Sequence, residues 1–478
     1  MKLRELFSAR DMTMGAPWKR IAEFAGPMLI GNVAQQLYHT ADTVIVGKYV
    51  GDNALSAVGS ASPILNLLLA VFVGIATGAG IVISQNYGAK NRELLSESIG
   101  NCMTLAAIAS LLIMVIGTMA ARPLLTLLKT PDSIIEWCSD YLQIFFLGAA
   151  GFTFYNILSG ILRGLGDSLS ALGFLLVTTA LNVGLDLLFV RRMGVAGVAL
   201  ATILAQAVSA VLCLIKLLCM RSIFDLNLKT LPLRRRTSLR ILKVGLPSGL
   251  TQCVMAMAML VVQSLTNSMG EMVIACSVII MRVDGFAMMP NMTFGQAMSV
   301  YTGQNVGAGK EKRVEDGMKQ GLMIAVGCSC LITIALLFFG KYMFGFFTET
   351  AALIDLAVRM MRILAAGYIA IAVMQVFGGI MRGAGDTMTP MWISIFNTII
   401  LRVPVAYGIA WLTRSEQYPN GSPVALYSSL LVTWVAGAAL SYLAYRRGGW
   451  RKKMEEAMRL QKESLMSPPY AQTGTAAE

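Results

Sequence analysis

Twelve stretches of predominantly apolar residues dominate the sequence, each close to or above the roughly 20 residues that a membrane-spanning helix needs. They cover 22–47, 54–84, 95–119, 134–158, 168–190, 194–218, 244–268, 272–300, 318–341, 353–377, 388–412 and 423–445. In hydrocarbon every peptide group must find its partner within the protein, so stretches of this length predict spanning α-helices. Spread over 478 residues, they leave about 40 residues per span and connection, too few for a separate soluble domain. Composition agrees. Hydrophobic residues make up 56%, charged residues 14% and mean hydropathy is +0.66, where a soluble chain carries about 25% charge. A cytosolic enzyme, a nucleic-acid-binding protein and a disordered chain are all excluded. Most of the eight cysteines lie inside apolar stretches, without extracellular pairing patterns, and read as small core residues. A single histidine, His39, argues against His-rich metal sites and His-dependent hydrolase triads.

The excess of Lys and Arg, 39 against 26 acids, gives a net charge of +13. It concentrates in alternate connections: Lys90 and Arg92, Arg163, the run from Arg221 to Lys243, Lys310 to Arg313, and Arg382, with both tails basic too. The remaining connections hold few such residues, which predicts that both termini face the cytoplasm. Residues 1–20 are polar and lack the apolar core and cleavage site of a signal peptide. The stretch from Arg446 to Lys462 reads either as a basic helix on anionic lipid or as a solvated tail.

The chain repeats itself. Gln85-Asn86-Tyr87-Gly88-Ala89 returns as Gln304-Asn305-Val306-Gly307-Ala308, a shift of 304 − 85 = 219. Gly160-Ile161-Leu162-Arg163-Gly164-Leu165-Gly166-Asp167 returns at the same shift as Gly379-Ile380-Met381-Arg382-Gly383-Ala384-Gly385-Asp386, and Pro27 and Pro247 differ by 220. Each repeat holds six spans, an even number, so the halves share one orientation and an axis along the membrane normal relates them. The predicted fold is therefore an all-α integral membrane protein, its twelve transmembrane helices arranged as two six-helix lobes related by a parallel internal repeat. The lobes are 1–220 and 244–446, joined by a basic linker at 221–243 and followed by a basic tail at 447–478. In the Arg-Gly-x-Gly-Asp turns, glycine supplies the reversal and Arg and Asp are expected to pair. The turns lack the Lys-Ser/Thr ending of a phosphate loop, which leaves ATP-driven transport without support.

Polar groups at membrane depth are costly and mark function by default. In the first span, Gln35, Tyr38 and Asp42 share one helical face, with His39 on an adjacent one. In the fifth, Asn182 and Asp186 are four apart; in the sixth, Thr202 precedes Gln206 by one turn. At 1.5 Å per residue, Asp42, Asp186 and Thr202 fall in the outer half of the first lobe. Two acids at one depth beside amide and hydroxyl groups suit binding of H⁺ or Na⁺. A purely structural cluster, in which Asn182, Thr202 and main-chain donors satisfy the acids, is the competing reading.

These features together resemble the multidrug and toxic compound extrusion (MATE) family, within the multidrug/oligosaccharidyl-lipid/polysaccharide exporter superfamily, over 21–445. The resemblance implies a cation-coupling site at Asp42, Asn182, Asp186 and Thr202, with Gln35, Tyr38 and Asn156 as neighbours and Pro27 as a helix-bending proline. It implies no organic cofactor, H⁺ or Na⁺ as coupling ion, and no enzymatic activity. It further implies drugs or toxic metabolites as substrates and a monomer in the bacterial plasma (inner) membrane. The family's NorM-like members carry an acid in the seventh helix, whereas Gln252 to Ser268 has none, which places the chain nearer the DinF-like branch. The second lobe holds Arg282 and Asp284 in the eighth helix and Arg402 in the eleventh. Residues two apart point about 200° apart on a helix, so Asp284 is expected to find Arg402 or another helix as a structural ion pair, with a substrate or coupling role as the alternative. Of 31 methionines, 22 follow residue 220, which suits either an adaptable apolar cavity or lipid-facing packing. The expected activity is cation-driven efflux of apolar or cationic organic compounds; the alternative is a lipid-linked oligosaccharide flippase of the same superfamily. A membrane enzyme would need a metal-spaced acid cluster or a nucleophile–base set, and neither is present in the sequence.

Overall fold

The structure, a computed structural model, describes residues 8–127, 130–416 and 418–466. The first lobe contains α1 (Pro17–Tyr49), α2 (Asp52–Gly88), α3 (Arg92–Leu127), α4 (Asp132–Leu147), α5 (Ala149–Gly164) and α6 (Ser168–Cys219). The second contains α7 (Arg235–Ser268), α8 (Glu271–Gly307), α9 (Glu311–Gly345), α10 (Ala351–Ala365), α11 (Gly367–Gly383) and α12 (Met388–Ile395). A π-helix (Phe396–Leu401), α13 (Arg402–Leu412) and α14 (Val424–Arg446) complete it, and α15 (Gly449–Met466) follows. Among the described residues, seven helices are long and apolar enough to cross a membrane, and two bent pairs bring the number to nine. The pairs are α4–α5, bent by 52°, and α10–α11, bent by 42°. Large apolar side chains such as Met119 on α3 (75% exposed) and Phe338 on α9 (75%) lie on the outside, an arrangement suited to lipid and costly in water.

A straight helix of 52 residues would be about 78 Å long, but α6 folds back at Gly194, whose φ of 57° and ψ of −132° no helix contains. Asn182 then faces Thr202, and Thr178 faces Ser209. The two predicted spans 168–190 and 194–218 are the arms of this hairpin. Its first turn is capped by Asp167, whose carboxylate accepts from the Ser170 amide (2.9 Å) and hydroxyl (2.7 Å).

The repeat extends to the backbone. Left-handed φ values occur in pairs 219 apart: Gly51 and Gly270, Lys90 and Gly309, Gly166 and Gly385. The loops with Lys90, Gly166, Gly309 and Gly385 lie on one face together with residues 8–16 and α15. Arg10 N–H donates to Leu165 O (3.2 Å), Lys310 Nζ to Thr13 O (2.9 Å), and Arg451 meets Glu311 (3.0 Å). We call this the terminal face.

Three expectations change. Linker residues 235–243 belong to α7. The stretch after Arg446 is a helix that lies neither on lipid by its apolar side nor free in solvent. Its apolar stripe of Trp450, Met454 and Ala457 packs into a core with Tyr301, Val306 and Val314. The Arg and Asp of the repeated turns do not pair with each other. Arg163 donates to the Ser159 hydroxyl (2.7 Å), Asp167 caps α6 with Lys216 3.8 Å away, and Asp386 accepts from the Thr389 amide (3.1 Å). The Asp of such a turn stands where the next helix starts, and capping that helix's free amides is the nearer use for its carboxylate.

Candidate functional site

The arms of α6 carry polar side chains at helical spacing: 178, 182 and 186 on one, 202, 206 and 209 on the other. Thr202 returns its hydroxyl proton to Val198 O (3.0 Å) and accepts from Asn182 Nδ2 (3.3 Å), while the Tyr38 hydroxyl reaches it from α1 at 3.5 Å. The Thr178 and Ser209 hydroxyls bond to each other about a turn closer to the terminal face. Asp186 stands one turn beyond Asn182 with no exposed surface. Asn182 Oδ1 and Gln206 Oε1 are buried without a hydrogen-bond partner among the described residues. Buried amide oxygens in that position are acceptors available to a proton-bearing group or a cation.

Tyr38, Asn182 and Thr202 thus meet as the sequence suggested, with Asp186 adjoining. The side chains of Asp42 and His39 lie outside the described residues; the α1 backbone places Asp42 one turn past Tyr38. Asn156 donates to Phe152 O in its own helix (2.9 Å) and Gln35 is exposed, so neither is hydrogen-bonded to this group. Pro27 sits inside an unbroken α1. Thr178 and Ser209 escaped the sequence reading, although 178 continues the four-residue step of 182 and 186. No group of three metal-ligating side chains occurs among the described residues.

The second lobe departs from expectation. Asp284 accepts a hydrogen bond from the Tyr368 hydroxyl (2.7 Å), and no ion pair within 4 Å joins it to Arg402 among the described residues. Arg402 is close enough to feel the carboxylate's charge. Arg282 is exposed. Tyr368, at the start of α11, is held against α8 at both ends, its carbonyl accepting from Asn291 Nδ2 (3.4 Å).

Between the lobes, the duplicated motifs bond reciprocally. Gln85 Nε2 donates to Gly383 O (2.8 Å), and Gln304 Nε2 to Gly164 O (3.3 Å). The main chains approach so closely that a Cβ on Gly88 would stand 2.6 Å from Gln304 Cα, and one on Gly307 2.8 Å from Gln85 C. Helix starts are exchanged as well. The Trp18 amide in α1 is capped by Gln320 Oε1 of α9 (2.9 Å), and the Arg234 amide before α7 by Asn101 Oδ1 of α3 (2.8 Å). Residues 101 and 320 are again 219 apart. Ahead of α1, Met12 is 1% exposed; its N–H donates to Gln304 (2.8 Å) and its carbonyl accepts from Arg313 (3.1 Å). The linker is fixed by Arg92, which grips both oxygens of Asp225 at 2.8 Å and holds that carboxyl below its usual range. The hydrogen bond joining the lobes farthest from the terminal face is Asn32 Nδ2 to Thr293 Oγ1 (2.8 Å), near mid-helix; beyond it none occurs among the described residues.

Comparison with known proteins gives a consistent answer. The MatE family profile matches residues 27–188 and 247–408, once in each lobe. The probable multidrug resistance protein YpnP of Bacillus subtilis is 30% identical, over 93% of this chain and 98% of its own. The probable multidrug resistance protein NorM of Thermotoga maritima is 24% identical, over 91% and 93%. Among solved structures, an outward-facing multidrug resistance MATE family transporter of the MOP superfamily superposes with a TM-score of 0.85 at 24% identity, over 94% of this chain and 99% of that one.

Proposed function

The chain belongs to the MatE family, a family of transporters rather than enzymes, and from that premise we propose that it is a cation-coupled exporter of apolar or cationic organic compounds. H⁺ or Na⁺ enters from the face opposite the termini, binds among Asp42, Asn182, Asp186 and Thr202, and drives the lobes to exchange access. The observation that carries this reading is Asp186: a carboxylate with no exposed surface at membrane depth, next to the buried Asn182–Thr202–Tyr38 group. An ionised carboxylate there is expensive, so its proton or cation occupancy is coupled to the shape of its surroundings. The multidrug resistance names of the relatives support the substrate class. The basic residues of the terminal face, Lys90, Arg92, Lys310 and Arg313 among them, support a cytoplasmic position for both termini in a bacterial plasma membrane.

The hydrogen bonds that join the lobes at the terminal face support loading of the ion from the opposite side. Reconstitution in proteoliposomes with imposed pH or Na⁺ gradients tests the reading. Asp42→Asn and Asp186→Asn are each expected to abolish gradient-driven dye efflux while leaving the protein folded. Full transport by either variant refutes the assignment.

A further inference from the structure

The register between the lobes makes residue 402 the counterpart of residue 182. The motif at 160–167 returns at a shift of 219, but the family-matched segments end at 188 and 408, a shift of 220; the π turn takes up the extra residue, and beyond it 182 + 220 = 402. Where the first lobe places an amide beside a carboxylate, the second places a guanidinium. The local helix is irregular there: α12 gives way to the π-helix Phe396–Leu401, and the α-helix resumes at Arg402. Single π turns of this kind recur at functional sites. Asn397, in that turn, is 5% exposed, and both its amide nitrogen and its amide oxygen are buried without partners among the described residues. Arg402 Nε is likewise buried and unpartnered. Asp284 does not consume these donors, because its carboxylate takes the Tyr368 hydroxyl and stays beyond ion-pair distance of Arg402. Three orphaned polar atoms on one turn at membrane depth are rare in a finished core and mark a place where a ligand completes the bonding. A guanidinium's planar fork matches the two oxygens of a carboxylate or phosphate.

We propose that Arg402, with Asn397 beside it, forms an anion-binding centre in the second lobe that takes the acidic group of an amphiphilic organic acid or zwitterion. Asp284 sets its strength as a neighbouring like charge to the ligand. The centre rests on the exporter reading only for its place on a transport path; binding itself is independent of it. The shared chemistry is an oxyanion on an apolar body, whether a soluble organic acid or a lipid phosphate.

Purified protein would be titrated with a matched pair of dyes, a rhodamine free acid and its ethyl ester, followed by fluorescence anisotropy. A short-chain phosphatidylglycerol serves as competitor. Arg402→Gln is expected to weaken acid binding about tenfold or more and ester binding by less than about twofold. Arg402→Lys, which keeps the charge and loses the fork, falls between them. Asp284→Asn, which removes the like charge beside the ligand, is expected to tighten acid binding, and weaker acid binding in that variant would count against the proposal. Displacement of the acid by the phospholipid in wild type but not in Arg402→Gln identifies lipid as a source of the ligand. Equal loss of both dyes in Arg402→Gln, with ester binding failing alongside thermal stability, or no acid binding by wild type at any concentration where the ester binds, overturns the proposal. Failure of wild type to move the ester under any ion gradient would instead sink the exporter reading and leave these binding outcomes to decide the anion centre.

Discussion

Gly88→Ala adds one methyl group where the lobes touch. Its Cβ would stand 2.6 Å from Gln304 Cα and nearer still to the Gln304 carbonyl oxygen, both main-chain atoms of the rigid helix α8. Ordinary contact between such atoms is about 3.6 Å, so α2 and α8 must part by about 1 Å at this level. No side chain can turn aside to absorb the change. Overpacking of that kind costs about 1–3 kcal/mol, and the cost falls only on the state in which the terminal face is sealed. The balance between sealed and unsealed states then shifts about 5- to 150-fold. Spin labels at the exposed positions Glu93 on α3 and Lys312 on α9 report that balance as a distance distribution in lipid nanodiscs. The expected result is a longer-distance population in Gly88→Ala that is minor or absent in wild type. Gly327→Ala on α9 is the control: nothing lies within 4 Å of its Cβ, and it should behave as wild type. An unchanged distribution and unchanged transport in Gly88→Ala would refute the claim that this contact seals the terminal face.

Two further changes probe the site and the tail. Thr202→Val removes the oxygen that accepts from Asn182 and strands two buried donors, so the apparent affinity for the coupling ion should fall about 5- to 150-fold, while Thr202→Ser should retain it; equal transport–concentration curves for Val and Ser would count against a role for the hydroxyl. Trp450→Ala removes a fully buried anchor on the inner face of α15; a loss of about 3–5 kcal/mol of packing should undock the helix, seen as protease cleavage within 449–466, and protection equal to wild type would show that α15 is held by other means.

Much of the architecture was legible because its causes are local. The apolar stretches coincide with helices, including the two arms of the α6 hairpin, and motifs repeated at 219 give two lobes. The helix breaks at Gly148 and Ala366 and the π turn before Arg402 were not legible, since they depend on packing against other helices. In the first lobe the periodic residues 182, 186 and 202 were found because spacing alone aligns them. In the second, Asp284 and Tyr368 are 84 residues apart and no periodicity connects them. Met12 was invisible for a different reason. It acts through its main-chain N–H and C=O, which every residue except proline possesses, so its identity carries no sign of the bonds it makes. The stripe Trp450, Met454, Ala457 was visible, but a stripe does not say whether lipid or protein covers it.

The repeat divides the molecule's work in a way that neither lobe alone explains. Contacts that seal the terminal face come in equivalent pairs: Gln85 with Gln304, Gly88 with Gly307, and the capping amides Asn101 with Gln320. Even the buried isoleucines are exchanged, Ile21 of α1 lying in the core of the second lobe and Ile241 of α7 in that of the first. Paired contacts across one axis strain and release together, because a rotation that breaks one breaks its twin. Opening is therefore expected to be a single cooperative event rather than a series of partial ones. At the depth of the ionisable groups the equivalence fails: Asn182 faces Arg402 in register, and the acid Asp186 corresponds to Ala406. Symmetry serves the motion, and its loss at these few positions lets the two lobes present opposite charge within one moving frame.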